Sequence, residues 1–81
     1  MITFYGASWC GDCRRSKRLL DELAVAYTYV DVENDPSASA KVVEINGGVQ
    51  SIPVIVFPDQ THLTEPSDRA LRAKLAELKI V

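Results

Sequence analysis

The first third of the chain alternates between β-prone and helix-prone patterns, and this order limits the possible folds more than any other feature. A short β-prone run covers Met1 to Tyr5, and apolar residues then recur at helical spacing from about Asp12 to Ala26. Tyr27 to Val32 is rich in aromatic and β-branched residues, which predicts a second strand. A helix of this length between two strands predicts a βαβ unit, with parallel strands joined by a right-handed crossover.

Four further elements are predicted in the rest of the chain from its turn residues and its apolar periodicity. In chain order they are a helix between Asp35-Pro36 and Asn46-Gly47-Gly48, a buried strand over Ile52 to Phe57, an edge strand over Thr61 to Thr64, and a helix from about Pro66 to Leu78. The complete order is β-α-β-α-β-β-α, which is an α/β fold. No repeat or linker interrupts it, so we expect residues 1–81 to form a single domain.

The composition argues against several classes of function. The chain is 47% hydrophobic and 25% charged, and its net charge of -2 argues against a nucleic-acid-binding protein, which needs a basic surface. The longest apolar run, Ile52 to Phe57, is too short to cross a bilayer, and the N-terminus lacks the basic region of a secretory signal. We therefore expect a cytoplasmic monomer that binds neither nucleic acid nor membranes.

The only two cysteines, Cys10 and Cys13, lie in the stretch W-C-G-D-C, at the start of the first predicted helix. They could be a redox couple, half of a metal site or an incidental pair. In the cytoplasm, a lone C-x-x-C is more often catalytic or metal-binding than a structural disulfide. Structural zinc usually needs four ligands, and only the distant His62 could join the two thiols. We therefore expect no metal site and place His62 on the surface.

The position of Cys10 at the start of a helix favours a reactive thiolate. Unpaired backbone N–H groups and the positive end of the helix dipole stabilise an anion there, and the thiolate is the nucleophile in thiol exchange. Four basic residues and one acid, Asp12, lie between Cys10 and Leu20, which gives a local charge of +3. We therefore predict that Arg14 and Arg15 stabilise the thiolate, although a solvated helix face would show the same pattern.

The two thiols should lie in different environments. By helical periodicity, Cys13 shares a face with Leu20 and Ala24 and should turn inward, whereas Cys10 stays exposed at the helix entrance. We therefore predict that Cys10 is the attacking thiol and that Cys13 is the resolving thiol.

Two neighbours of Cys10 are further candidates for the site. Trp9 either belongs to the core or, as we favour, forms an apolar rim that packs on a bound thiol. Gly11 is expected to let the backbone turn tightly between the first strand and the helix.

The element order, with a C-x-x-C at the start of the first helix, resembles the glutaredoxins of the thioredoxin-like superfamily. The stretches W-C-G-D-C, N-G-G, S-I-P-V and L-T-E-P-S resemble the mycoredoxin branch in particular. This resemblance covers essentially the whole chain and implies a thioredoxin-like (glutaredoxin) fold with a four-stranded mixed sheet. It also implies a thiol-disulfide oxidoreductase with a cis proline, Pro53, that faces the two thiols, and with Ile52 backbone groups that pair with a substrate chain.

Departures from the family patterns bear on the thiol that feeds the site. Glutathione-using glutaredoxins usually carry a lysine where this chain has Ala7, and a Gly-Gly-x-Asp stretch where it has Thr64 to Asp68. Thioredoxins usually place a buried aspartate where this chain has Phe4. By elimination and resemblance, the expected co-substrate is mycothiol, with glutathione as the alternative. Ser67 and Asp68 could hold a carboxylate of this thiol at the start of the last helix, or could simply cap that helix.

The resemblance implies a cycle that needs no tightly bound cofactor. The expected substrates are mixed-disulfide proteins, and the expected partners are a low-molecular-weight thiol and an NADPH-dependent disulfide reductase. Asp12 would lie beside the entering ligand and should disfavour anionic partners. Alternatives are an electron donor linked to glutathione or thioredoxin reductase, a non-catalytic redox switch, and an iron-sulfur module that bridges two chains.

Overall fold

The computed structural model describes residues 1–81, which form four strands and three helices in the predicted order. The strands are β1 (Ile2–Gly6), β2 (Tyr27–Asp31), β3 (Val54–Val56) and β4 (His62–Thr64), and the helices are α1 (Gly11–Glu22), α2 (Pro36–Ile45) and α3 (Asp68–Glu77). None of the three helices combines the length and the apolar character that a membrane crossing requires.

The four strands form one mixed sheet in the order β2-β1-β3-β4. β1 and β2 are parallel, whereas β3 runs antiparallel to both β1 and β4. Tyr5 lies opposite Val54, so the C-terminal end of β1 and the N-terminal end of β3 lie at the same end of the sheet. The loop that carries Cys10 and the segment Ile52-Pro53 are therefore neighbours in space, although they are far apart in the sequence.

The core lies on both faces of the sheet, because alternate residues of each strand point to opposite sides. On one face, Phe4 and Ile55 pack with apolar side chains of α1 and α3, and all of these are almost fully buried. On the other face, Val42 of α2 packs against Val54. The predicted apolar face of the last helix is confirmed, since Leu71 and Leu75 are fully buried and Leu78 packs beside them.

Two element boundaries differ from the sequence prediction. α1 ends at Glu22 and does not continue to Ala26, because Ala24 adopts a left-handed conformation with a φ of 56°. The N–H of Val25 then donates to the carbonyl of Leu20 at 2.9 Å, which closes the helix end. Ala24 is therefore exposed and lies outside the helix, so its predicted place on the inward face was wrong.

The predicted strand over Ile52 to Phe57 is shorter in the structure. β3 begins only at Val54, and residues 52 and 53 form an irregular segment before it. This segment brings the backbone groups of Ile52 to the end of the sheet where Cys10 lies.

Candidate redox site

Cys10 is the N-terminal cap of α1. Its Sγ atom accepts a hydrogen bond from the backbone N–H of Cys13 at 3.2 Å, and its carbonyl accepts one from the N–H of Arg14 at 3.0 Å. An oxygen from Ser, Thr, Asp or Asn usually fills this position, so the sulfur takes the place of a hydrogen-bond acceptor at the positive end of the helix dipole. The Cys10 sulfur therefore lies where the helix N-terminus directs its unpaired backbone N–H groups.

Cys10 is less exposed than the sequence predicted. Only 9% of the residue is accessible, because the Ile52 segment covers it, and its Sγ lies 4.0 Å from the carbonyl oxygen of Ile52. The expectation of an exposed thiol was wrong in this respect. The small accessible surface of Cys10 lies beside the Ile52 segment, and we call it the opening at Cys10.

Cys13 turns inward, as predicted, and is only 2% exposed. A Cβ atom added at Gly6 would lie 2.8 Å from Cε1 of Phe4 and 3.2 Å from Sγ of Cys13. Glycine at this position of β1 therefore leaves room for the phenyl ring and the sulfur to pack side by side. Phe4 itself is fully buried, so Cys13 lies in an apolar environment without a carboxylate beneath it.

The environment of Cys13 opposes its ionisation. Burial is the largest cause, and it acts with the hydrogen bond to Cys10 to raise the pKa of the Cys13 thiol to about 12, while a hydrogen bond to the Ala7 backbone acts in the opposite direction. Both cysteines are free thiols in this structure. At neutral pH, Cys13 is accordingly a protonated thiol that must lose its proton before it can attack a disulfide.

The segment before β3 presents unused backbone groups beside Cys10. The Ile52-Pro53 peptide bond is cis, as the family resemblance implied. The carbonyls on either side of Ile52 are occupied: that of Ser51 by the amide of Asn46 at 3.1 Å, and that of Pro53 by the N–H of Glu65 at 2.9 Å. The N–H of Ile52 has no hydrogen-bond partner, whereas its carbonyl accepts a long hydrogen bond from the Cys10 thiol, with 4.0 Å between the sulfur and the oxygen. The N–H is therefore available to an extended substrate segment, and the carbonyl keeps one lone pair for it.

Trp9 is 64% exposed, so the alternative that placed it in the core was wrong. With Ile52 it borders a groove of about 360 Å³ that Val32, Glu33 and Gln50 complete. Glu33 is the only charged residue in the lining of this groove. The sequence analysis did not identify Glu33 and Gln50, because no motif or periodicity connects residues from the end of β2 and from the loop before β3.

Arg15 connects the start of α1 to the start of α3. Its guanidinium lies 3.3 Å from the carboxylate of Asp12 and 3.4 Å from that of Asp68, and it donates a hydrogen bond to the carbonyl of Pro66 at 3.0 Å. These two carboxylates compensate the charge of Arg15 locally, which weakens its effect on a thiolate. Ser67 caps α3, since its Oγ accepts a hydrogen bond from the N–H of Ala70 at 3.1 Å. The side chains of Ser67 and Asp68 thus already have partners.

For two other predicted site residues, Arg14 and Gly11, the structure shows no contact that supports the predicted role. Arg14 borders a pocket with Cys13 and forms no ion pair with any carboxylate. Gly11 has no left-handed backbone conformation, and a Cβ atom added there would meet nothing within 4 Å. The backbone at position 11 therefore does not use the conformational freedom of glycine.

The structure brings together no group of three or more His, Cys, Asp or Glu side chains that could hold a metal ion. His62 is exposed on β4, where the sequence placed it.

The fold and the paired thiols define a thioredoxin-like thiol–disulfide protein. The sequence model of the glutaredoxin family matches residues 2–63, so the chain belongs to the glutaredoxin family. A protein of Mycobacterium tuberculosis that carries the glutaredoxin name is 39% identical over 77 residues, which cover 95% of this chain and 92% of that protein. Mycoredoxin 1 of Corynebacterium glutamicum is 32% identical over 77 residues, which cover 95% of each chain.

Solved structures agree with this assignment. The crystal structure of a glutaredoxin from Archaeoglobus fulgidus has a TM-score of 0.77 at 26% identity, with 89% of this chain and 82% of that chain covered. The predicted fold and family are thus confirmed. Membership of the glutaredoxin family implies thiol-disulfide oxidoreductase activity in general terms.

Proposed function

We propose that this protein reduces mixed disulfides between proteins and a low-molecular-weight thiol, with mycothiol as that thiol. Cys10 is the nucleophile and Cys13 the resolving thiol. The observation that carries the proposal is the Cys10 sulfur at the N-terminus of α1, where it accepts a hydrogen bond from the Cys13 N–H and lies beside the Ile52 segment, whose N–H is unpaired.

The reaction begins when the Cys10 thiolate attacks the mycothiol sulfur of a mixed disulfide. A new disulfide forms between Cys10 and mycothiol, and the protein substrate leaves as a thiolate that takes a proton from water. The protein is then reset by one of two routes. Either a second mycothiol thiolate attacks the bound mycothiol sulfur and releases Cys10 as a thiolate, or Cys13 loses its proton and attacks Cys10, and mycothiol leaves as a thiolate. The second route gives a Cys10–Cys13 disulfide, which two further mycothiol molecules reduce to the two thiols while they form mycothiol disulfide. In both cases, the N-terminus of α1 stabilises the sulfur anion at Cys10 when the reduced protein is restored.

The surroundings of Cys10 provide the substrate-binding surface. The Ile52 N–H and carbonyl pair with the extended backbone next to the substrate disulfide, and Pro53 keeps this segment beside Cys10. The exposed indole of Trp9 packs on the bound thiol, and Gly11 and Asp12 border the opening on the helix side. No tightly bound cofactor takes part in this scheme.

The charges around the opening favour an uncharged thiol. Glutathione carries two carboxylates, whereas mycothiol is an uncharged pseudodisaccharide thiol with many hydroxyl groups. The groove beside Trp9 offers the carboxylate of Glu33 and the amide of Gln50, which suit hydroxyl groups, and it contains no cation. On the other side of Cys10, one guanidinium compensates Asp12 and Asp68.

The start of α3 is a secondary contact for the bound thiol, where mycothiol would present hydroxyl groups, because it lacks the carboxylate that was expected to bind there. The side chains of Ser67 and Asp68 are engaged in the cap and in the ion pair with Arg15, so only their solvent-facing lone pairs and the backbone N–H groups of the first turn remain for a ligand. Of the two arginines that were expected to stabilise the Cys10 thiolate, Arg15 is partly neutralised and Arg14 lies beside Cys13.

A coupled assay tests the proposed function. Catalytic amounts of the protein are added to a mixed disulfide of mycothiol and a model protein, and NADPH oxidation is followed through mycothiol and its disulfide reductase. Parallel reactions use glutathione with glutathione reductase, and thioredoxin reductase alone. We expect turnover with mycothiol at rates well above both alternatives. Turnover only with glutathione or thioredoxin reductase would contradict the assignment of mycothiol, and no turnover in any system would indicate a redox switch.

We also propose that residues 1–81 act as a single domain and as a cytoplasmic monomer that works with an NADPH-dependent disulfide reductase. Size-exclusion chromatography with light scattering on the reduced protein measures the oligomeric state. Anaerobic reconstitution with iron and sulfide, followed by absorption spectroscopy, tests the alternative of an iron-sulfur module, for which we expect no visible absorption band.

A further inference from the structure

We propose that Arg14 assists the resolving thiol, Cys13, and not the attacking thiol, by stabilising the Cys13 thiolate through a pocket separate from the opening at Cys10. This inference rests on the second reset route of the proposed function. Arg14 acts here as a positioning residue for a negative charge on Cys13, and it does not contact the substrate.

The pocket lies on the side of α1 that faces the end of β1. It has a volume of about 290 Å³, and six residues line it: Ala7, Ser8, Cys13, Arg14, Lys17 and Tyr29. It shares no residue with the groove beside Trp9, and Cys10 does not line it. Cys13 therefore lines a different depression of the surface from the groove that Trp9 and Ile52 border.

The charges around Cys13 leave one cation uncompensated. Lys17 lies 3.0 Å from the carboxylate of Asp21, so its charge is largely balanced. Arg14 has no such partner. Arg15, the next cation along α1, is paired with Asp12 and with Asp68.

The other ionisable groups near Cys13 come from the start of α1 and from β2. Burial and the neighbouring Cys13 raise the pKa of Tyr29, which therefore stays a neutral phenol in the pocket. Asp12 is paired with Arg15 at 3.3 Å. Cys10 is bound in a disulfide during the resolving step, so it then carries no charge. Of the two cations that line the pocket with Cys13, Arg14 is consequently the one without a paired carboxylate, whereas the charge of Asp12 opposes ionisation of Cys13.

The resolving step needs this assistance because Cys13 begins as a buried, protonated thiol on an apolar floor of Phe4 and Gly6. In that step, the Cys13 proton passes to water in the pocket, and the Cys13 thiolate attacks Cys10. The Cys10–Cys13 bond forms, the bond between Cys10 and the small thiol breaks, and the small thiol leaves as a thiolate. No external oxidant or reductant takes part.

A chromogenic disulfide separates the two steps in the complete protein. Reduced protein is mixed with 2,2'-dithiodipyridine, which is uncharged and releases one coloured thiopyridone when Cys10 attacks and a second when Cys13 resolves the mixed disulfide. Cys13→Ser should lose the second phase, and this loss would identify the second phase as the resolving step. The assay contains no mycothiol, so a failed proposal about Arg14 and a failed assignment of mycothiol can be distinguished.

We expect Arg14→Gln to slow the second phase by about three- to tenfold at pH 7 and to leave the first phase unchanged, because only the Cys13 thiolate loses its neighbouring charge. The pH profile of the second phase should move to higher pH. Arg14→Lys should restore most of the rate, and 0.5 M salt should reduce the difference, since salt screens exposed charges. Arg18→Gln removes an exposed cation one turn further along α1 and is the matched control.

Several outcomes would overturn the proposal. If Arg14→Gln and Arg18→Gln had the same second phase, or if Arg14→Gln slowed the first phase as much as the second, Arg14 would not act on Cys13. A slower second phase with an unshifted pH profile and no rescue by Arg14→Lys would indicate a packing defect. Thermal unfolding of each variant would show whether such a defect is present.

Discussion

Cys10 and Cys13 are only three residues apart at the start of the same helix, yet one sulfur caps the helix and the other is buried against the sheet. Cys10 occupies the cap position, where a backbone N–H donates to its sulfur at 3.2 Å. Cys13 lies one turn further on, against Phe4 and Gly6, and burial raises its pKa to about 12. The comparison shows how a single helix terminus can produce an attacking thiol and a resolving thiol from identical side chains.

Removal of each thiol in turn should give the largest effect. We expect Cys10→Ser to abolish turnover of a mycothiol mixed disulfide, because no other nucleophile lies at the helix terminus. Cys13→Ser should retain the first step and accumulate a mixed disulfide on Cys10, which mass spectrometry of the intact protein would detect. If Cys10→Ser kept substantial activity, or if the adduct formed equally in both variants, the two thiols would not have separate roles.

Two glycines near the two thiols offer a second comparison. Gly6→Ala places a Cβ atom 2.8 Å from the Phe4 ring and 3.2 Å from the Cys13 sulfur, so we expect a loss of about 1 to 3 kcal/mol in the free energy of unfolding. Gly11→Ala, beside Cys10, meets nothing within 4 Å and should change that free energy by less than about 1 kcal/mol. Urea unfolding of both variants measures the difference. Equal losses would mean that the Cys13 environment tolerates an extra methyl group.

The raised pKa of Cys13 predicts an alkaline loss of stability. The folded protein holds the Cys13 proton up to about pH 12, whereas the unfolded chain releases it near the ordinary value of 9.0. Between these values the folded state binds more protons, so its stability falls as pH rises. We expect this thiol to add to the loss of unfolding free energy between pH 8 and 10.5.

Urea unfolding of the wild type and of Cys13→Ser at both pH values isolates this contribution. The serine variant should lose less stability over the interval, because its hydroxyl does not ionise there. An identical loss in the two proteins would contradict a buried, protonated Cys13.

The smallest effect concerns Asp12, which lies next to Cys10 but is paired with Arg15 at 3.3 Å. We expect Asp12→Asn to raise the rate with the anionic glutathione disulfide by less than about threefold at low salt, because the pair already reduces the field of this carboxylate. The rate with an uncharged disulfide should not change. Glu22→Gln, at the distant end of α1, is the control. Unchanged rates with glutathione disulfide at low salt would exclude Asp12 from discrimination by charge.

Local patterns were sufficient to predict much of the fold and the orientation of Cys13. Helical periodicity placed Cys13 inward, and the alternation of strands and helices gave the element order that the structure shows. The end of α1 was missed because the left-handed conformation of Ala24 has no glycine or asparagine to signal it.

The remaining features of the site depend on contacts between distant parts of the chain. Cys10 is covered by Ile52, which lies 42 residues away, so its exposure could not follow from the helix alone. The groove beside Trp9 contains Glu33 and Gln50, and the pocket beside Cys13 contains Tyr29. These residues come close to α1 only because the sheet places β2 and the loop before β3 near the start of that helix. Charge counting along α1 likewise did not predict that Arg15 would be compensated by a carboxylate of α3.

The division of roles between the two thiols is tested most directly by alkylation of the reduced wild-type protein. The protein is treated with iodoacetamide at pH 7, and peptide mapping by mass spectrometry follows the modification of each cysteine over time. We expect Cys10 to react at least about tenfold faster than Cys13, because the thiolate is the reactive species and only Cys10 lies at the helix terminus. Equal rates at the two thiols would contradict this assignment.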